Sequence, residues 1–381
     1  MKKILFFLLT VTLIVSCKND DTDFSEYING GSSIKTIYIT YSEGSATVTG
    51  DSQGIVSVSG ADVVVNSQSA DSLLLVLSGS TTDGSLLVYR SRQFGIQLNG
   101  VTITNHDGPA INNQCGKALY IHCASGTTNT LCDGTTYAEQ SYDQKGTLFS
   151  EGQIYFDGTG TLNVNAKAKN AIASDDYIYI LGDVVINTTT AATGSNGIKV
   201  NDGIYIQGGT TTIDVSSDAG RGIKCDSVMI ISGGTTTIST SGDCVYDEEE
   251  ADYSSAACIK CAYDFTMSGG KLSMKSTGDG GKGLNCAAGV TVSGGTFSAI
   301  TSGSNDKAKP KAVKGSAITL SGGSFFAMTD KSWACDNGSD SETYSERVTT
   351  VGSPSTTTTT TIDDEEYTSP YYSKKVIFIA F

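Results

Sequence analysis

The chain has 381 residues, 44 of them glycine and only 4 proline, and carries a formal net charge of −15. Such an acidic balance excludes nucleic-acid binding by counterion release, which requires Lys and Arg to neutralise phosphates. The wealth of Gly, Thr and Ser without helical periodicity marks an all-β protein, long enough for one elongated domain, that acts through bound cations or local basic features.

Residues 1–16 (MKKILFFLLTVTLIVS) hold two lysines and an apolar run that ends at Cys17. The run is too short at its centre for a transmembrane span and reads as a secretory signal. Its Leu-Ile-Val-Ser-Cys ending resembles a bacterial lipoprotein signal. That implies an exported outer-membrane or cell-surface protein, held to the membrane by lipid on Cys17. Lys18 to Asp21 resemble the surface-export tag of Bacteroidetes lipoproteins, and the stretch 17–33 reads as anchor and flexible tether. Without Lys2 and Lys3 the net charge is −17.

Residues 34–105 alternate in short runs such as IYITYS and LLLVLSG but keep irregular spacing. They read as N-terminal coils and a cap, since end repeats are atypical. The stretch 106–335 reads as the regular part. It opens with His106, His122 and a loop carrying Tyr137 and Tyr142, and then settles into one repeated pattern: NGIKVNDGIYIQGGTTTI, RGIKCDSVMIISGGTTTI, CIKCAYDFTMSGGKLSM, KGLNCAAGVTVSGGTF. Aligning Leu148, Ile172, Ile198, Ile223, Ile259, Leu284 and Val313 gives steps of 24, 26, 25, 36, 25 and 29 residues.

Three short strands and three corners fit a coil of about 25 residues, which predicts a parallel β-helix, right-handed by the crossover rule. Ile154, Ile178, Ile204, Met229, Phe265, Val290 and Ile318 form one predicted inward column. Phe156, Ile180, Ile206, Ile231, Met267, Val292 and Leu320 form a second. The side chain between them faces the other way. The tail 336–381 contains TTTTTTIDDEE, expected to be mobile, and KKVIFIAF, apolar enough to dock as a closing strand.

Nine cysteines follow Cys17, an odd number that leaves at least one thiol free. Cys225, Cys261 and Cys286 share one repeat position and are expected to stack inside as small hydrophobes. Cys244 and Cys258 flank the acidic insertion in the long coil and are placed to close it as a disulfide in an exported protein.

Three outward features are candidates for binding. Lys199, Lys224, Lys260 and Lys314 each follow the inward Ile or Val, with Asn285 interrupting. Like charges opposite one another in a sheet repel, so this row needs acids from adjoining corners (Asp202, Asp218, Asp226, Asp243, Asp279) or a polyanionic ligand. Asp218, Asp243 and Asp279 recur at one corner, and the insertion adds Asp247 among other acids. Calcium, which takes 6 to 8 oxygen ligands, is the ion such corners suit; Asp175 and Asp176 are a further candidate pair. Tyr155, Tyr179 and Tyr205 stand between the inward columns on three successive coils. They either brace the ladder by cross-strand stacking or present a platform for sugar rings.

The recurring S-x-G-D/GIK…I-x-GG-T-x-x-I pattern, densest from Ala171 to Thr301 and spanning Phe94 to Trp333, resembles a β-helical carbohydrate-binding family of bacterial cell surfaces. The resemblance implies a calcium-containing right-handed β-helix that is similar to polysaccharide lyases in fold and binds acidic pectic chains and cellulose. The family's G-D-G-I-K motif is only partly kept. Gly242 and Asp243 match, but Cys244, Val245 and Tyr246 follow, while Gly197-Ile198-Lys199 and Gly222-Ile223-Lys224 lack the leading Gly-Asp.

Two classes of function fit these features. One is a non-catalytic surface protein binding uronate-rich polysaccharide with calcium. The other is a polysaccharide lyase, for which Arg221 and Lys224 are the residues to cast as clamp and base. Acids around a lysine raise its pKa, the wrong direction for a base, so binding is the expectation. A plain adhesin uses the same fold.

Overall fold

The computed structural model describes residues 34–304 and 306–381. The expected signal, Cys17 and the tether lie outside the described residues. The described chain is a β-solenoid of about 11 turns with coils of about 25 residues. It contains no α-helix, only a single 3-10 turn at Tyr344–Arg347.

Each regular coil is three strands. In one of them these are Asn196–Val200, Gly203–Ile206 and Thr210–Val215. The first strands of successive coils stack into a 12-stranded sheet, and the second and third belong to one 23-stranded sheet. Those two faces are joined because Phe94–Asn105 runs through the corner, pairing with Leu119–Cys123 at one end and Thr128–Asp133 at the other. The aliphatic rows are in register as the spacing predicts. Ile172 pairs with Ile198, Ile198 with Ile223, Ile223 with Ile259, and Ile259 with Leu284. All five are buried, so the core is a continuous column of apolar rungs.

The Gly-Gly corner needs both of its glycines, for different reasons. In Gly233-Gly234, a Cβ on the first would sit 2.2 Å from the Gln207 carbonyl oxygen of the preceding coil. The second has φ +70°, which L side chains rarely adopt. The same pair of constraints recurs at Gly269-Gly270 and Gly294-Gly295.

Antiparallel strands close both ends. Ser45–Thr49 folds back on Ile34–Ser42, and Val376–Ala380 runs antiparallel to Ser324–Thr329. Pairing removes exposed edges that would recruit other chains. The threonine run departs from the expected mobile stretch. Thr359–Ile362 and Glu365–Thr368 form a hairpin whose two turn residues, Asp363 and Asp364, have φ of 49° and 64°. Two left-handed residues make the turn that matches strand twist, and Asp tolerates that conformation.

No disulfide forms among the described residues; all nine cysteines are free, including Cys244 and Cys258. Cys258 instead lies in the core, its Sγ 3.3 Å from the Lys275 carbonyl oxygen. Cys225, Cys261 and Cys286 are buried and in register, as expected.

Candidate functional site

The lysine row is a physical ladder on the 12-stranded sheet. Lys199 pairs with Lys224, Lys224 with Lys260, Lys260 with Asn285, and Asn285 with Lys314. Of the corner acids, only Asp226 reaches it. Among the described residues only Lys224 has a carboxylate within 4.0 Å, that of Asp226 at 3.4 Å. Asp218, Asp243 and Asp279 stand at the other edge of this sheet, before its strands begin.

A second basic row, missed by the sequence reading, runs beside the first. Arg221, Ala257, Lys282 and Lys311 are register partners three residues upstream of the lysine row. Its sequence signal is the residue before the small one in R-G-I-K, K-G-L-N and K-A-V-K. Between the rows Gly222 and Ile223 are buried while Arg221 and Lys224 are half-buried; in the second row Ala257 and Lys311 are buried as well. Lys311 is paired with Asp336 at 2.7 Å. Arg221 donates to Ser254 Oγ at 2.7 Å and Lys282 to Ser255 Oγ at 2.5 Å. Ser254 ends the returning strand of the insertion's antiparallel hairpin, Val245–Asp247 with Asp252–Ser254, and Ser255 follows it.

Crowding and burial work against positive charge on this face. Burial, then the neighbouring Lys314, push Lys282 down to about 8. Burial and the adjacent Arg221 and Lys224 hold Lys260 below its ordinary value. Burial lowers Lys311 more than Asp336 restores it, and also lowers Arg221. Toward its N-terminal end the face opens into a recess of about 370 Å3 lined by Lys145, Lys169, Asn170, Ser195 and Lys199.

The aspartates proposed for calcium do not converge. Asp218 Oδ1 accepts the Asp243 N–H at 2.8 Å, Asp243 Oδ1 accepts the Asp279 N–H at 2.8 Å, and Asp279 Oδ1 accepts the Ser304 N–H at 3.2 Å. They are a ladder of caps, one per coil, tying each corner to the next. Asp247 sits in the hairpin and caps Glu249 and Glu250. Among the described residues the metal-type cluster is elsewhere: Asp143, Glu151 and Asp175 bring their ligating atoms within 4.8 Å of one another. Its donor set suits a hard divalent ion, but three oxygens are half of what calcium needs. Lys145 Nζ already bridges Asp143 and Asp175. Burial opposes the Lys145 charge, yet these two carboxylates outweigh it and raise the pKa. Burial and Asp175 raise Glu151.

The tyrosine row is longer than expected and arranged against a sugar platform. Tyr120, Tyr155, Tyr179 and Tyr205 stack at centroid distances of 4.9, 4.5 and 4.8 Å, with interplanar angles of 20°, 3° and 7°. Rings stacked along the solenoid axis spend their faces on each other. Tyr120 packs on Leu74 and Val76, and Ile230 follows Tyr205 in register. What remains outward is an edge of hydroxyls. This row also lies on the 23-stranded sheet, across the Asn201-Asp202 corner from the lysines. Lysines and tyrosines therefore do not share a face. Beside the tyrosines, His122 Nδ1 meets Asp157 Oδ1 at 2.5 Å.

Comparison with known proteins places the chain. The family described as carbohydrate-binding domain-containing protein matches residues 59–226 and 204–308. A carbohydrate-binding domain-containing protein of Acetivibrio thermocellus is 32% identical over 114 residues, 29% of this chain and 40% of that relative's length. Among solved structures, a polysaccharide lyase-like protein from C. thermocellum, determined as a gadolinium derivative, aligns with a TM-score of 0.55 at 22% identity. The alignment covers 68% of this chain and 99% of that one; at that identity the likeness is one of fold. With its family match spanning most of the solenoid, the chain belongs to the family of carbohydrate-binding domain-containing proteins.

Proposed function

We propose that this protein is an exported, surface-tethered lipoprotein that binds acidic, uronate-rich polysaccharide along its 12-stranded sheet without cleaving it. One observation carries this reading: cations stand in register across successive coils, and Lys199, Lys260 and Lys314 have no carboxylate within 4.0 Å among the described residues. Coils repeat at about 4.8 Å, so the row offers a line of positive charge to a chain lying along the axis. On a molecule of net charge −15, this face attracts polyanions while the rest repels them. Calcium belongs to this reading as a bridge between protein and ligand carboxylates, with Asp143, Glu151 and Asp175 as its holders once Lys145 turns to the ligand. In the same reading, the tyrosines contribute at most their hydroxyls.

Lys282 favours a second reading. A half-buried lysine lowered to about 8, two strands from Arg221, has the protonation range of a base that removes the proton next to a uronate carboxylate. One experiment separates the two. The full-length chain is run by affinity electrophoresis in polygalacturonate, with calcium and with chelator, while ultraviolet absorbance reports unsaturated product. Retardation without product supports binding, and its loss in chelator supports the calcium bridge. Product formation replaces binding with lyase activity. Neither retardation nor product rejects both and leaves adhesion.

A further inference from the structure

The second basic row contains a gap. Arg221 and Lys282 flank Ala257 in register, so two cationic side chains stand about 10 Å apart at the backbone, two strand spacings, with only the buried Ala257 between them. Neither has a carboxylate within 4.0 Å among the described residues. Arg221 is held through Ser254 and Lys282 through Ser255 and the Gly280 carbonyl. Arg221 Nε is buried and has no hydrogen-bond partner. A buried donor left unmade costs the protein its desolvation penalty, so the fold keeps an unused N–H beside an unneutralised cation. The two serines come from an insertion in this coil: the step from Ile223 to Ile259 is 36 residues, against 24, 26 and 25 for the three steps from Leu148 to Ile223. Lys224 and Lys314 lie on the neighbouring row, and Lys311 follows in the same one. The acids facing the pair are Asp226, toward Arg221, and Asp252, toward Lys282, with the Cys244 thiol also near Lys282.

We propose that Arg221 and Lys282, braced by Ser254 and Ser255, form a subsite over Ala257 that takes one oxyanion substituent, a carboxylate or a sulfate ester, of a polysaccharide chain. This deepens the polysaccharide reading and rests on it for the rest of the ligand. The lysine row supplies diffuse attraction. The notch supplies two directional donors with charge, which fix where along the sheet the ligand sits. Anion binding stabilises the charged form of Lys282, so binding takes up a proton on the alkaline side of 8.

The test uses the full-length chain and small probes, inorganic sulfate and sodium galacturonate, each compared with chloride at equal ionic strength. Thermal shift and calorimetry at pH 7 read binding; calorimetry at pH 8.5 in two buffers of different ionisation enthalpy reads proton uptake. At least one probe is expected to raise Tm above the chloride reference. R221Q/K282Q is expected to weaken that probe at least tenfold and abolish proton uptake, while K199S/K224S/K260S, which removes only the diffuse attraction, weakens it less than about threefold and keeps proton uptake. The milder S254A/S255A, which leaves both cations in place, is expected to weaken the probe severalfold and covers the case of a double variant that fails to fold. No Tm shift, or equal loss in the lysine-row variant, overturns the subsite. If the probes bind through Arg221 and Lys282 but polygalacturonate does not retard the protein, the subsite stands and the uronate reading falls; sulfated polymers then become its ligand. If polygalacturonate retards wild type and R221Q/K282Q equally, the reading stands and the subsite falls.

Discussion

Lys282 is a lysine whose surroundings work against its charge. Its folded pKa of about 8 lies below the ordinary lysine value of 10.5, so between those limits the unfolded chain binds the extra proton. Stability from this residue therefore rises with pH across that window, and below pH 8 the penalty is fully present. Lys282→Met is expected to raise stability at pH 7 by about 1–3 kcal/mol. The gain should fade as pH approaches 10.5, read from urea unfolding at several pH values; a gain that does not change with pH would show that packing alone is responsible. At this scale the sequence reveals the lysine row readily, because Lys follows the inward aliphatic in four of the five coils from Ile198 to Val313. It hides the second row, where Ala257 interrupts and Lys282 and Lys311 stand before a small residue. It also hides burial, which sets the downward direction for Lys260, Lys282 and Lys311.

The strands and corners show which repeated residues build the solenoid and which are free to bind. Asp218, Asp243 and Asp279 look like calcium ligands in a sequence because they are acidic and periodic. In the fold, their periodicity is explained by hydrogen bonds: each carboxylate caps the next coil's backbone. Asp243→Ala should cost about 1–2 kcal/mol for the cap to Asp279, whereas Asp243→Asn keeps an acceptor and should cost much less. Comparable losses for both, measured by denaturant unfolding with and without calcium, would point to a role for the charge instead. The tyrosines teach the same lesson. Spacing places Tyr155, Tyr179 and Tyr205 in one row, but only ring orientation shows that their faces are already covered. Tyr179→Ala, which removes stacking on both sides, should lower stability by about 1–3 kcal/mol and leave polysaccharide affinity within twofold. Gly233→Ala meets the Gln207 carbonyl at 2.2 Å and should cost about 1–3 kcal/mol through the backbone shift it forces, a loss read as a lowered denaturation midpoint.

The whole molecule is an acidic rod with one basic face. Its architecture was almost fully readable from the chain, since a period near 25 residues with two aliphatic columns and a Gly-Gly corner leaves few alternatives. The ends were less readable: Thr359–Ile362 folds because of its two-Asp turn, a local feature that low-complexity composition masks. Function was readable as a choice of face. A two-residue corner sends the lysines and tyrosines to different sheets, and the acids that adjoin the lysines in sequence mostly cap the opposite corner. What remains is a line of cations facing solvent.

The measurement that tests this most directly is the dissociation constant for oligogalacturonate of wild type and of K199S/K224S/K260S over a series of salt concentrations. The account predicts that wild type binds with an affinity that falls steeply as salt rises. The triple variant should be at least tenfold weaker, with a shallower salt slope and unchanged thermal unfolding. Equal affinity and equal slope for the two proteins would contradict it and return the lysine row to a solvated face.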